Sequence, residues 1–333
     1  MITFLILMFT AVHSPLTWGT PLLPFFLYGV GAAVACFVGY KALRRQIPAT
    51  PLDLPLLLLL LMAALSSRFS IWRIGSQMRV FSLIGYLIAY YFIWLGVSEE
   101  MLTRNVIRAG WVLIVLYLTV GINHLRDLGN GNVLASILLL ILPFGIRIKN
   151  SHWRWGWFIV GVVAMLITRS RGGLLGLAVA LAVLWDVDNR LIAGVSAVSL
   201  PVLFFLQQDT AMRRLHYWKA ALQAFLSRPL IGIGPAACYR WITPLVNEKC
   251  PHAHNIFLTV LAEMGLLGLI CLGLLLWQTW RHRRPGPAWA ALVGFMVHSL
   301  VDDPIWFWAP GLGVMSLLAI MIKDERTLKG EST

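Results

Sequence analysis

Apolar runs alternate with short polar turns along almost the whole chain. A full bilayer crossing takes about 20 residues, so this pattern predicts about twelve transmembrane helices, several of them short. The first run lacks a basic leader and a clear cleavage site, which favours a retained span over a removed signal peptide. The predicted helices are residues 2–12, 22–40, 52–66, 79–97, 107–121, 132–146, 154–168, 172–185, 191–206, 255–279, 287–300 and 305–322.

The polar connections predict how these helices are oriented. Lys and Arg are modestly enriched in one set of alternating loops, which by the positive-inside rule faces the cytoplasm together with both termini. The long connection 207–254 then faces outside. Its first part, 211–226, has apolar side chains at three-to-four spacing and predicts an amphipathic helix on the membrane surface. The predicted fold is an all-α polytopic membrane protein, one integral domain over 1–333 with one long periplasmic loop.

Composition supports the membrane assignment. Of the 333 residues, 59% are hydrophobic and only 12% are charged, which excludes an ordinary soluble protein. Fifteen tryptophans fit the headgroup zone of a bilayer. The formal charge of +13 fits membrane sorting and an anionic lipid substrate, since no nucleic-acid-binding module is recognisable.

Arginines mark two stretches that are predicted to face outward. Arg169 and Arg171 lie in the turn 167–173, just before a predicted helix whose first amides carry partial positive charge. Arg214 lies one turn before Trp218 on the amphipathic helix. Guanidinium groups bind phosphate well, so all three are candidate phosphate ligands. Ordinary turns with arginines that reach toward lipid headgroups remain the open alternative.

Two histidines precede the predicted helix 255–279. Imidazole is the side chain best suited to proton transfer near neutral pH, so His254 is the candidate base and His252 the second candidate. The alternative is a pair of interfacial polar residues. Glu263, deeper in the same helix, is expected to be a hydrogen-bonded packing residue.

Further polar residues have weaker signals. Asp302 and Asp303 end a predicted span; they are either a solvated cap, a balance for the arginines or contacts to an acceptor sugar. Tyr239 and Arg240 are grouped with them as candidate acceptor or supporting contacts. No spacing of His and Cys indicates a metal site.

Cys238 and Cys250 bracket one polar part of the long loop. They would form a disulfide if the loop faces an oxidising periplasm, and two free thiols otherwise. The sequence leaves both alternatives open.

The stretch His254-Asn255, with Gly265 and Gly268 downstream, resembles the ligase pattern of the bacterial O-antigen ligase and polymerase superfamily. That pattern is His, then Asn, Ser or Gln, nine residues, Gly, two residues, then Gly, Thr or Tyr. The superfamily also includes protein O-oligosaccharyltransferases.

Two upstream stretches add to the resemblance. Residues 170–173 look like the Ser-Arg-Gly junction of the family, and residues 214–234 look like its Arg-x-x-x-Trp lead into Pro-Leu-x-Gly-x-Gly. The resemblance covers residues 165–275 well and is specific because the motifs occur in this order.

The resemblance implies a GT-C-type glycosyltransferase of the bacterial inner membrane, working on the periplasmic side without metal or cofactor. The donor would be a glycan on undecaprenyl pyrophosphate, and for a ligase the acceptor would be a hydroxyl of lipid A-core oligosaccharide. Arg171 and Arg214 carry over as pyrophosphate-binding residues and His254 as the catalytic base.

Two other functions compete with an O-antigen ligase. An O-antigen or exopolysaccharide polymerase would use a second lipid-linked glycan as acceptor with similar catalytic residues. A lipid-linked glycan transporter or flippase fits the broad topology, but acids deep in the spans are scarce and no inverted repeat is visible.

Overall fold

The computed structural model describes residues 39–41, 44, 49–120, 131–187, 208–246, 250 and 252–323. All the regular secondary structure in these ranges is helical, which confirms the all-α prediction. The helices are α1 (Asp53–Arg68), α2 (Arg73–Gly96), α3 (Glu99–Val120), α4 (Gly131–Ile141), α5 (Ser151–Ile167), α6 (Arg171–Leu184), α7 (Gln208–Ser227), α8 (Cys238–Val246), α9 (Ile256–Arg281), α10 (Pro287–His298) and α11 (Trp308–Ile322), with 3₁₀ turns at Leu142–Arg147 and Pro304–Trp306.

The predicted helices 2–12 and 191–206 lie outside the described residues, as do residues 22–38 of the predicted helix 22–40. One predicted helix is shorter than expected. The segment 132–146 is helical only to Ile141 and continues as a 3₁₀ turn, because Pro143 has no amide hydrogen and its ring clashes with the preceding turn. A helix is confirmed at the predicted segment 211–226, within α7, and its position on the membrane surface stays a prediction.

Among the described helices, α2 and α9 are long and apolar enough to cross a membrane. Apolar helices of 10–17 residues occupy Gly131–Arg147, Arg171–Leu184, Pro287–His298 and Ala309–Ile322. The predicted twelve spans, their orientation and the periplasmic position of residues 207–254 stay predictions.

Helices α6 and α10 cross in direct backbone contact. A Cβ atom added to Gly176 would lie 2.5 Å from the Gly294 carbonyl oxygen, and one added to Gly294 would lie equally close to the Gly176 oxygen. Small residues permit this approach, as they do between membrane helices. The start of α6 contacts the end of α10, so the two helices run antiparallel, and the amino end of α6 lies beside the turn that follows α10.

Helix α9 is broken at Gly265, whose backbone is left-handed (φ 68°). The segment Pro229–Gly234, called the inserted segment below, lies along the break. Its backbone supplies hydrogen bonds in place of those that the helix lacks there. The Leu266 and Leu267 amides donate to the carbonyls of Pro229 and Leu230. The Ala262 and Glu263 carbonyls, which would normally accept from those amides, accept instead from Ile233 and Gly234. These two amides and two carbonyls at the break are therefore satisfied.

Glycine is required on both sides of this junction. A Cβ at Gly232 would lie 2.3 Å from the Glu263 carbonyl carbon, and a Cβ at Gly265 would lie 2.4 Å from the Leu230 carbonyl carbon. The Pro-Leu-x-Gly-x-Gly stretch and the glycine eleven positions after His254 therefore form one structural unit, which sets the position of α9 against the loop that leads to α8.

A small apolar cluster under this loop holds both loop cysteines. Cys238 and Cys250 are buried there with Ile242 and Ala253, apart from the main core between the long helices. Both cysteines are free thiols, and the Cys250 thiol donates to the His252 carbonyl at 2.9 Å. Of the two alternatives that the sequence left open, the structure has the free thiols.

Glu263 is buried next to the same cluster. Its carboxylate accepts a hydrogen bond from the Cys238 amide at the start of α8, at 3.3 Å. This confirms the expected role as a hydrogen-bonded packing residue and ties α8 to the broken part of α9.

Candidate active site

The start of α9 meets the turn between α10 and α11 next to the histidine stretch. Asn255 caps α9: its side-chain oxygen accepts from the Leu258 amide at 3.0 Å, and its side-chain nitrogen donates to the Leu300 carbonyl at 2.9 Å. The Ile256 amide donates to the Ser299 carbonyl at 3.0 Å. One asparagine therefore starts the helix and ties it to this turn, which holds the preceding histidine against it.

His254 and Asp302 form a hydrogen-bonded pair although 48 residues separate them. The distance from His254 Nδ1 to Asp302 Oδ1 is 2.8 Å, and the Asp302 side chain is buried while that of His254 remains partly open. Burial alone would raise the pKa of the Asp302 carboxyl. The effect of burial is outweighed by the hydrogen bond with His254 and by the neighbouring His298 and His252 rings. The pKa of Asp302 is therefore held well below its ordinary value.

An ionised Asp302 decides which His254 nitrogen carries the hydrogen. A carboxylate can only accept hydrogen bonds, so Nδ1 of His254 is the donor and Nε2 carries the lone pair. No residue in the described part of the chain hydrogen-bonds to Nε2. The contact with Asp302 therefore leaves the lone pair of His254 on Nε2, the nitrogen that faces away from that carboxylate.

His252 lies behind this pair. Its ring centroid is 4.4 Å from that of His254, and its Nδ1 accepts a hydrogen bond from the His254 amide at 3.2 Å. Its Nε2 lies 4.0 Å from Asp302 Oδ1. Burial and the charge of His254 lower the pKa of His252 to about 3, so its imidazole stays neutral at physiological pH.

Helix α7 supplies an aromatic ring and a cation to the same site. The Tyr217 ring stacks on the His254 ring, with centroids 5.3 Å apart. Arg214 lies one turn earlier, half-buried and without an ion pair among the described residues. Burial lowers the pKa of its guanidinium, and the charge of Asp302 acts against that shift. The sequence-predicted Arg214, His254 and Asp302 are thus brought together.

The start of α6 packs against the turn that contains Asp302. Ser170 caps α6 by accepting from the Gly173 amide at 3.1 Å. A Cβ at Gly172 would lie 2.5 Å from a Val301 methyl, so the backbone next to Arg171 packs directly against the turn. The Arg171 and Arg169 side chains are exposed, and no hydrogen bond or ion pair joins them to the histidines in the described ranges.

The remaining candidates contact tryptophans. The Tyr239 ring lies 5.6 Å from that of Trp72, and the Arg240 guanidinium lies 5.5 Å from the same ring. Asp303 accepts from the Trp306 indole nitrogen at 2.8 Å, and burial raises its pKa to about 8. A role of these residues in acceptor binding stays a prediction.

Three residues of the site were not singled out from the sequence. Tyr217 shares a helix face with Arg214, and His298 lies four residues before Asp302, with its Nε2 3.8 Å from Oδ2. The guanidinium of Arg79, on α2, lies 4.5 Å from the Trp306 ring and donates to the Trp306 carbonyl. Helical spacing was a usable signal for the first two, whereas nothing in the sequence joins α2 to this turn.

His252, His254 and Asp302 could also be read as metal ligands, because one donor atom of each lies within 4.8 Å of the others. Their hydrogen bonds fit that function poorly. Nδ1 of His252 accepts from a backbone amide, so its hydrogen is on Nε2. Binding an ion through Nε2 would move that hydrogen to Nδ1, where it would face the amide hydrogen of His254. The arrangement favours a hydrogen-bonded acid–base array.

Residues 156–273 match a protein family described as O-antigen ligase. The match supports membership in the O-antigen ligase and polymerase family. No curated protein matches the chain. The matched segment begins in α5 and ends within α9; it includes Arg171, Arg214 and His254, whereas Asp302 lies beyond it.

The O-antigen ligase and polymerase family is membrane-associated and consists of glycosyltransferase-like enzymes that use lipid-linked glycans and acceptors. The match therefore supports an enzyme of this general kind, with lipopolysaccharide assembly as the general setting. The His254–Asp302 pair and the nearby arginines are the groups on which a more specific function can be built.

Proposed function

We propose that the protein is an O-antigen ligase that transfers a glycan from undecaprenyl pyrophosphate to a hydroxyl of lipid A-core oligosaccharide. The proposal places the chain as one integral domain in the bacterial inner membrane, with the site on the periplasmic side and both termini in the cytoplasm. The observation that carries it is the hydrogen bond between His254 and Asp302, with Tyr217 of the helix that bears Arg214 stacked on the His254 ring. The family match supplies the substrate class.

His254 acts as the general base on the acceptor. A sugar hydroxyl is a weak nucleophile, so it must lose its proton as it attacks. Nε2 of His254 takes that proton, and the resulting imidazolium is stabilised by the ionised Asp302 on Nδ1. The stacked Tyr217 ring holds the imidazole plane in place.

The arginines act on the leaving group. The acceptor oxygen forms a bond to the anomeric carbon while the bond from that carbon to the phosphate oxygen breaks, which inverts the anomeric configuration. The electron pair leaves with undecaprenyl pyrophosphate, which gains negative charge. In this proposal Arg214 and Arg171, with the amino end of α6, stabilise that charge without a metal ion, and Arg169 is a further candidate. Tyr239 and Arg240 remain candidate acceptor contacts, and Asp303 supports the turn through its hydrogen bond with the Trp306 indole.

Arg214→Gln is expected to lower kcat/KM for the lipid-linked donor by about 10²–10³-fold, the usual effect of removing one group that stabilises transition-state charge. Initial rates at varied donor concentration with purified protein would measure it. Arg213→Gln is the matched control, because Arg213 is the adjacent arginine and its side chain is exposed. Equal effects of the two substitutions would contradict the role of Arg214.

The lipopolysaccharide profile of a deletion strain separates the competing functions. Loss of all attached O-antigen, restored by the wild-type gene, is the outcome expected for a ligase. Survival of lipopolysaccharide with a single attached repeat would identify a polymerase instead. Movement of lipid-linked glycan across liposomes without a new glycosidic bond would identify a transporter.

A further inference from the structure

The backbone of His254 has a left-handed conformation, with φ 53°. This region is uncommon for residues other than glycine, and a side chain there is strained unless its surroundings hold it. The strain falls on His254, the residue proposed above as the base. Something must hold that conformation, because a relaxed backbone would turn the imidazole away from its present direction.

The His254 backbone is hydrogen-bonded to the side chain of His252. The His254 amide donates to Nδ1 of His252 at 3.2 Å, a side-chain-to-backbone bond between residues two apart. The stretch is also fixed on both sides of this bond: the Ala253 amide donates to the Thr259 hydroxyl at 3.1 Å, and the His252 carbonyl accepts from the Cys250 thiol. The conformation of His254 is therefore set by its own neighbours in the chain.

The position of His252 is unsuited to proton transfer with a substrate. The residue is only 5% exposed, and its ring packs edge-on against the Phe307 ring. Its Nδ1 is occupied by the amide of His254, and its Nε2 points toward Asp302 at 4.0 Å. The charged or titratable groups whose fields reach it are His254 on the same strand of chain, Asp302 on the α10–α11 turn and Arg79 on α2. Of these, His254 and Arg79 disfavour a proton on His252, as burial does.

We propose that His252 is a positioning residue for the transfer reaction: its imidazole serves as the hydrogen-bond acceptor that keeps His254 left-handed and directs Nε2 of His254 toward the acceptor hydroxyl. This rests on the proposed function of His254 as base. It differs from the sequence-based expectation that His252 is a second catalytic residue, because His252 acts through the backbone of its neighbour and touches no substrate.

Asparagine at position 252 tests this role, since its side-chain oxygen readily accepts from the amide two residues on but has no basicity near neutral pH. For His252→Ala, we expect kcat to fall about 100-fold, as for a base displaced by about 1 Å, with the KM of donor and acceptor within about twofold of wild type. For His252→Asn, we expect kcat to return to within about tenfold of wild type. Steady-state initial rates at varied donor and acceptor concentrations, with purified full-length protein, would give these values.

A wild-type kcat for His252→Ala would overturn the proposal. So would a His252→Asn protein as inactive as His252→Ala, because the imidazole itself would then be needed for chemistry. If His252→Ala fails to fold, His252→Gln replaces it, since its longer side chain fits this two-residue bond poorly. Activity of His252→Gln equal to that of His252→Asn would then overturn the proposal.

Failure of this inference can be told apart from failure of the proposed function. If His254→Gln retains full transfer, His254 is not the base and the proposed mechanism fails with it. If His254→Gln is inactive while His252→Ala is fully active, the base assignment stands and only the positioning role of His252 is wrong.

Discussion

Replacing His254 with glutamine is expected to lower the rate of glycan transfer by about 10³-fold or more. General-base catalysis contributes about 10²–10⁴-fold. The neighbouring imidazole of His252 is buried, and its Nδ1 is bonded to the amide of residue 254. Glutamine keeps the approximate length of the side chain but cannot accept the acceptor proton. The measurement is single-turnover transfer from lipid-linked glycan to purified lipid A-core.

Donor binding should survive this substitution, because the arginines remain in place. The KM for the lipid-linked donor, or inhibition by added undecaprenyl pyrophosphate, should therefore change little. His216→Gln is the matched control: His216 is an exposed histidine on α7 next to Tyr217 and should tolerate replacement. Transfer by His254→Gln at the rate of the His216→Gln protein would show that His254 is not the base.

Asp302→Asn and Asp303→Asn should have opposite outcomes although the two residues are adjacent. Asn at 302 removes the charge that stabilises the imidazolium and offers a side-chain amide that can donate to the wrong tautomer of His254. A loss of kcat of about 10²–10⁴-fold is expected, by analogy with the aspartate of a Ser-His-Asp triad. Asp303→Asn should stay within about threefold of wild type at pH 7, because that carboxyl is neutral below a pKa of about 8.

The pH dependence of stability should differ between the two sites as well. The folded-state pKa of Asp303 is raised, so its contribution to stability is present at low pH and is lost as the pH rises toward 8. Asp303→Asn keeps a side-chain oxygen that accepts from the Trp306 indole. Because asparagine does not titrate, this variant should not lose that contribution to stability as the pH rises. The folded-state pKa of Asp302 is lowered, so its contribution is present above about pH 4 and is lost only in stronger acid.

Thermal unfolding of both variants and the wild type, measured between pH 5 and pH 9, would check this. A wild-type protein whose stability is flat toward pH 8, or an Asp303→Asn protein that loses activity as Asp302→Asn does, would contradict the assignment of the charge to Asp302.

Much of the fold could be predicted from local patterns in the sequence. Apolar runs predicted the cores of α1, α5 and α9 to within a few residues, and three-to-four spacing predicted α7. The start of α2 was missed because Arg73–Gly75 and the polar residues that follow are helical without being apolar. Hydropathy reports where a helix is buried in lipid or protein, not where its hydrogen bonding begins.

The sequence predicted the residue types of the site better than their partners. His254 and Arg214 stood out because they belong to ordered motifs, but nothing along the chain assigns Asp302 to His254. That pairing depends on how α10 docks on α6 through Gly176 and Gly294, and on the tie between Asn255 and the following turn. Such long-range packing leaves no periodic signal. The break in α9 at Gly265 could not be predicted from the sequence either. Glycine is required there because a side chain would clash with the backbone of the inserted segment, Pro229–Gly234.

The most direct test is a structure of the wild-type protein bound to undecaprenyl pyrophosphate, the product of the proposed reaction, which cannot react further. The account predicts the diphosphate between Arg214 and the amino end of α6 near Arg171, with Nε2 of His254 facing the phosphate that carried the sugar. A diphosphate bound away from both arginines, or on a side of the turn that His254 Nε2 cannot reach, would contradict it.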